Sequence, residues 1–455
     1  MAASDEPGEP PEPPEEAEEA GSSAQPGRGR RFLTGRFVTV LIAVFGLLAG
    51  MLGVTVDWPE FLERYHLVDP PPLAGSVNIV VPQVALDAPA KTGRDERAAR
   101  RFGDALFTAV QAEIAKAGRV EVGRAARDDV GVYRTEAGRA ERLRKDLESR
   151  DGHIAISGTL IPGTVDRLRV EIYLDRGKLD EAYQLGGLQR LSAGEFGDIS
   201  ANPAAHAQAQ DFLLRKARLY TALIVAVGEY GMGGAKGLDR SLRSMRTLLP
   251  KLTEPAERSF GWLLTGNAEA RAGRQDSAVR AYRKALAADP ESVRARLGLA
   301  EIDYLRAGGS FTEGMCTREN SRLRALERLE RDYQALAARL ADDPHDLRPR
   351  VEFALARTRL CVLLIRGRGS IDRIETGFRD AAAVWERDTR KTWLRLITAD
   401  CYAMLGATRM LRLRDRAPDP AVAGRYYQAA VDTTPDAGRR AMYERRRDQV
   451  TSRRG

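Results

Sequence analysis

The chain has 455 residues, 30 % charged and 43 % hydrophobic, with a formal net charge of +8. That length allows two or three domains, and the balance is that of folded globular material. Acids are interspersed with arginines along most of the chain, which reads as a mixed solvated surface rather than a nucleic-acid footprint, and no CxxC pair is present to suggest a zinc or thioredoxin-like motif.

Residues 1–26 hold six prolines and eight acids. Such a segment buries too little apolar surface to offset chain entropy, so it reads as a disordered solvating tail, or as a docking segment for a basic partner. The block from Phe37 to Val56 is 20 residues without a charge. As a helix it would span about 30 Å, the thickness of a bilayer's hydrocarbon core. A cleaved secretory signal is the rival, but 36 residues precede the block and Val54-Thr55-Val56 is a poor cleavage site. Arg28, Arg30, Arg31 and Arg36 stand before it, and Arg64 stands among acids after it. The bias predicts a single-pass anchor in the plasma membrane with a cytoplasmic N-terminus and extracytoplasmic C-terminal domains. Gly46, Ala49, Gly50 and Gly53 share one helix face, which allows close approach of a second copy and a homodimer, or simply reflects the frequency of Gly in such helices. Residues 57–74 read as a linker ending in Pro70-Pro71-Pro72.

Residues 75–200 read as a small α/β domain. Val77–Val81 is a short apolar strand, and the spacing of Ala99, Phe102, Leu106, Val110 and Ile114 predicts a helix over 95–117, closed by Gly118. Val120–Val122 is a second strand. Glu136–Arg150 is a charged helix with Leu143 and Leu147 facing inward. Ile154–Ile161 and Leu168–Leu174 form a hairpin across PGTVDR, the second strand alternating with period 2. The order β-α-β-α-β-β predicts a mixed sheet with helices on one side. The run HIAISGTLIPGTVDRLRVEIYLDRGKLDEAY resembles the strand–turn–strand segment of TolB N-terminal-like domains. In bacteria these often precede tetratricopeptide repeats; the resemblance implies a fold and no catalytic residue.

Residues 205–450 read as helical. Trp262, Gly266, Ala278, Tyr282, Ala285 and Pro290 take positions 4, 8, 20, 24, 27 and 32 of a 34-residue unit starting at Ser259. This pattern resembles the tetratricopeptide repeat, with small residues where helices A and B cross and a proline ending helix B. Position 11 departs from it, being Glu269. Ala423, Tyr427, Ala430 and Pro435 repeat the second half of the pattern, and Leu214–Val227 with Leu238–Leu249 reads as a first helix pair. About five pairs are expected, interrupted by an insertion over Gly308–Asn320. The expected class is therefore a membrane-anchored α+β protein: one transmembrane helix, a small mixed α/β domain and a tetratricopeptide-like α-solenoid.

Chemistry has few signals. His66, His153, His206 and His345 show no metal spacing, and no GxSxG elbow occurs. GEYGMGGAKG over Gly228–Gly237 lacks the GK[ST] ending of a phosphate loop and joins helices, so it reads as an interhelical turn. No cofactor, metal or catalytic residue is expected. Three cysteines allow one bridge; Cys316 in the insertion and Cys361 in an apolar helix are the first choice, the plainer reading being three buried small hydrophobes. The basic run Arg439–Arg454 reads as a polar cap. Stacked helix pairs generate a groove lined by positions 2, 5, 9, 12 and 13. These are Phe260, Leu263, Asn267, Ala270 and Arg271 in the best repeat, and Arg294, Leu297, Glu301, Tyr304 and Leu305 in the next. Asn267, Arg271, Arg294 and Tyr304 either solvate the groove or hold a protein or peptide partner. The expected function is a non-catalytic, membrane-anchored scaffold; the alternative is a sensor whose α/β domain binds a small ligand.

Overall fold

The structure, a computed structural model, describes residues 73, 77–87, 93–115, 120–125, 135–175, 185–232, 234–308, 323–340, 347–366, 370–387, 392–413 and 416–452. All belong to the unit His66–Gly455. Residues 1–72 lie outside them, and with them the expected tail, the block 37–56, its small-residue face Gly46, Ala49, Gly50 and Gly53, and His66.

The sheet runs β3-β1-β4-β5-β6, with β2 pairing β4 at one end. Its strands are β1 (Val77–Val81), β2 (Ala85–Leu86), β3 (Val120–Arg124), β4 (Ile154–Ile161), β5 (Asp166–Leu174) and β6 (Gly187–Phe196). β1 is parallel to both β3 and β4, while β4–β5 and β5–β6 are antiparallel. All five residues of β1 are buried, as expected of a strand covered on both faces. Asn78 interrupts its apolar run for a reason: the Nδ2 donates to the carbonyls of Leu73 (2.8 Å) and Asp151 (3.1 Å). Its own N–H donates to His153 Nδ1 at 3.0 Å, so His153 closes a loop rather than facing a ligand.

Helices cover both faces, not one. Phe102, Leu106 and Val110 of α1 (Gly93–Ile114) and Tyr220 and Ile224 of α3 (Pro203–Met232) share a core with Ile79, Ile156, Val170 and Ile172. On the other face, Leu143 and Leu147 of α2 (Glu136–Ser149) pack on Val80 and Ala155. Both leucines are fully buried, which stabilises by about 1.5–3 kcal/mol each. Thr135 caps α2, its hydroxyl accepting from Gly138 N–H at 3.1 Å. β6 escapes the sequence pattern because GLQRLSAGEF is an edge strand with two glycines and few apolar positions.

The helical part follows as α4 (Gly234–Leu248), α5 (Pro255–Arg271), α6 (Gln275–Ala288), α7 (Val293–Arg306), α8 (Leu323–Arg339), α9 (Arg348–Arg366), α10 (Ile371–Arg387), α11 (Thr392–Arg409), α12 (Pro420–Thr433) and α13 (Ala437–Thr451). Consecutive helices are each other's main neighbours, and alternate members α5–α7, α7–α9 and α9–α11 also touch. Odd-numbered helices from α3 to α13 thus form one row, here the A row, and even-numbered helices from α4 to α12 the B row. The amphipathic period is plain in α8, which buries Leu326, Leu329, Tyr333 and Leu336. Helix starts are marked by Ser292, Asp419 and Asp436, each accepting from a first-turn N–H.

Two further expectations are corrected. The membrane-anchored α+β class gives way to a mostly helical chain with one small mixed sheet, and among the described residues no helix is long and apolar enough to cross a membrane. The Gly-rich stretch is not a ten-residue turn: α3 continues through Gly228 to Met232, and α4 begins at Gly234. A Cβ at Gly228 would come 2.6 Å from Val77 Cγ2, so this glycine is what lets α3 lie directly on β1. The sheet and the first helix pairs also share apolar packing. One apolar cluster continues from β1 through α3 and α5 to Ile302 of α7.

Candidate functional site: the A-helix row

The repeat unit over α5 and α6 is built around Tyr282. Its buried ring sits between two glycines, Gly266 of α5 and Gly298 of α7; a Cβ on either would come 2.6 Å from it. Its hydroxyl donates to Asn267 Oδ1 at 2.8 Å, and burial raises its pKa well above the usual phenol value. Ala278 and Ala285 are fully buried at the α5–α6 crossing. Trp262 is half-buried, with Lys284 Nζ 4.2 Å above its ring. Pro290 is exposed in the α6–α7 turn, where its carbonyl accepts from Arg296 Nε at 3.1 Å.

The four partner-contact candidates separate. Asn267 is buried and held by Tyr282. Arg271 donates from Nη1 to the Tyr230 carbonyl at 2.7 Å, tying α5 to the end of α3. Arg294 donates from Nη2 to the Gly186 carbonyl at 2.8 Å, tying α7 to the start of β6. Tyr304 is fully buried, 3.4 Å from the Cys361 sulfur, with the Arg357 guanidinium 4.0 Å over its ring. It cannot pack on a peptide. Phe260, Leu263 and Leu297 are buried too. Thus these candidates do not converge on a shared opening; each fastens the A row to its neighbours.

What the A row does present is a line of ionic pairs that single-repeat reasoning does not reach. Glu301 of α7 and Arg350 of α9 form a two-pronged pair at 2.6 and 2.7 Å, with side chains 13 % and 12 % exposed. Burial pushes the Glu301 carboxyl up to about 7, and Arg357 only partly opposes this. Burial, with Arg357 and Arg439 adding repulsion, brings Arg350 down to about 9. Further along, Asp400 of α11 accepts from Arg439 of α13 at 2.5 Å and from the Tyr443 hydroxyl. Burial raises the Asp400 carboxyl, with Arg439 and Tyr443 opposing. Its side chain is 25 % exposed and that of Arg439 40 %. The pairs Glu301–Arg350 and Asp400–Arg439 therefore bridge successive A helices, the first nearly buried and the second with more of its edge exposed. Such a surface can hold a polar polypeptide backbone and its side chains.

Other elements are locked by buried carboxylates. Glu257 of α5 accepts from the N–H groups of Thr253 and Glu254 (3.1 and 3.2 Å), closing a capping box. Its other oxygen takes Lys216 Nζ at 2.6 Å and the Tyr220 hydroxyl at 2.7 Å. Glu375 of α10, 1 % exposed, takes Arg409 (2.6 Å), Arg416 (2.9 Å), Arg379 (3.2 Å) and the Thr408 hydroxyl (3.1 Å). Cys361 is disulfide-bonded and Cys401 is buried and free; Cys316, the expected partner of Cys361, lies outside the described residues, as does His345. His206 stacks on Phe102 at 4.8 Å. No group of three or more His, Cys, Asp and Glu able to hold a metal is found among the described residues.

Comparison with known families fits this geometry. The tetratricopeptide repeat profile matches residues 260–302, from α5 through α6 into α7. No curated protein matches the chain. The matched segment lies wholly in the helical part, so the resemblance of the sheet to TolB N-terminal-like domains gains no support. A tetratricopeptide repeat is a protein-interaction module and is typically non-catalytic, its stacked copies offering an extended surface.

Proposed function

We propose that the chain is a non-catalytic scaffold that binds a partner polypeptide along its A-helix row. The observation that carries this reading is the matched repeat at 260–302 together with the continuation of the same alternating packing through α11, to which α13 is joined by the Asp400–Arg439 pair. The polar pairs Glu301–Arg350 and Asp400–Arg439 give that row its recognition chemistry. A segment laid across them would exchange hydrogen bonds with their exposed edges without breaking the helix-to-helix bridges. Arg271 and Arg294, both committed to backbone carbonyls, act by fixing the row in place.

A photo-crosslinking residue tests this when placed at position 446, exposed on α13 two turns beyond Arg439 in the A row, and, separately, at position 283, exposed on α6 of the B row. The reading expects a discrete polypeptide adduct from position 446 and little from 283. Equal adducts from both positions, or none from 446, would count against it.

A further inference from the structure

The sheet domain carries a second site that the scaffold reading neither uses nor requires. α1 opens with the run GRDERAARR. Arg94, Arg97 and Arg101 stand at i, i+3 and i+7, on one helix face. Ser200 and His206, from the segment leading into α3 and its first turn, meet them from the other side. Together they line a cavity of about 230 Å³. Its walls are almost entirely polar.

Two groups at this cavity are held in position. The His206 ring stacks at 18° to the buried Phe102, which fixes the plane in which its nitrogens lie. The Ser200 hydroxyl donates to Oδ1 of buried Asp95 at 2.6 Å, which fixes the hydroxyl at the cavity wall. The Arg97 and Arg101 guanidinium groups, about one turn apart on α1, carry like charge at the cavity wall, and an anion between them relieves their repulsion. Guanidinium forks match the paired oxygens of a phosphate better than they match a spherical ion. The volume falls below the roughly 300–1,000 Å³ of sites for drug-sized ligands, so a nucleotide does not fit inside.

We infer that this cavity is an oxyanion site for a phosphate group, either inorganic phosphate or the terminal phosphate of a small phosphomonoester or lipid headgroup.

The test is calorimetric titration of the full-length chain with inorganic phosphate at constant ionic strength, paired with thermal melting. The expected result is saturable binding that raises the melting temperature. Arg97→Ala and Arg101→Ala should each weaken it about tenfold or more, as loss of a charged contact does. Arg100→Ala removes the same charge from the same helix but not from the cavity lining, and should leave binding intact. Absence of saturable binding would overturn the inference, and so would equal losses in the Arg100 and Arg97 variants. Should Arg97→Ala unfold the sheet domain, Arg97→Lys keeps the charge without the fork and is expected to fold and bind phosphate more weakly. Undiminished binding in that variant would overturn the proposed geometry. Vesicles carrying a phosphomonoester headgroup separate the sources. If they displace inorganic phosphate the site takes a lipid headgroup, and if only soluble phosphomonoesters do so it takes a small molecule; either outcome supports the oxyanion assignment.

Discussion

Replacing Glu375 with alanine is expected to lower the unfolding free energy by about 3 kcal/mol, the lower end of the range for breaking a buried ionic cluster. Glu375 is 1 % exposed, while the side chains of Arg409 and Arg416 are 24 % and 22 % exposed. Removing the carboxylate leaves these two guanidinium groups facing each other with their attraction gone and only part of their hydration restored. Arg379, 49 % exposed, recovers water and contributes little. Thr408 loses one acceptor but keeps its bond to the Leu405 carbonyl at 2.7 Å. Glu375→Gln retains an acceptor for Thr408 without the charge, so it should fall between wild type and alanine. Urea denaturation followed by circular dichroism measures the difference. If the glutamine variant matched wild type, the charge would be shown not to matter there.

Tyr282→Ala is expected to cost about 3–5 kcal/mol, the range for deleting a large buried aromatic side chain. The ring fills the space left by Gly266 and Gly298, so the two positions that face it have no side chain to collapse into the gap. Tyr282→Phe isolates the polar part. It removes the hydroxyl that donates to buried Asn267, and should cost about 1–3 kcal/mol for the acceptor left unsatisfied. Urea midpoints of the two variants would establish the order; a phenylalanine variant as damaged as the alanine variant would contradict the packing argument.

The tetratricopeptide unit was legible because its signal is local. Gly266, Tyr282 and Ala285 occur at fixed spacings within one stretch of chain, and each spacing answers to a single helix crossing. Leu143, Leu147 and the β4–β5 hairpin were legible for the same reason: period and turn lie within a few residues of each other. The binding row was not, because its pairs join helices that meet only after stacking. Glu301 finds Arg350, and Asp400 finds Arg439, across an intervening B helix. Tyr304 shows the converse failure. Its position in the repeat template suggests a surface contact, but α9 brings Arg357 and Cys361 over it and removes it from solvent. The arginines of α1 carry no signal in the sequence, because Ser200 and His206 come to stand opposite them only in the fold.

Hydrogen exchange on the full-length chain, alone and with the polypeptide captured through position 446, tests the central claim most directly. Binding along the A row predicts slowed exchange in α7, α9, α11 and α13, greatest near Glu301, Arg350 and Asp400, with α6, α8, α10 and α12 largely unchanged. Protection confined to the B row, or to the sheet, would contradict it.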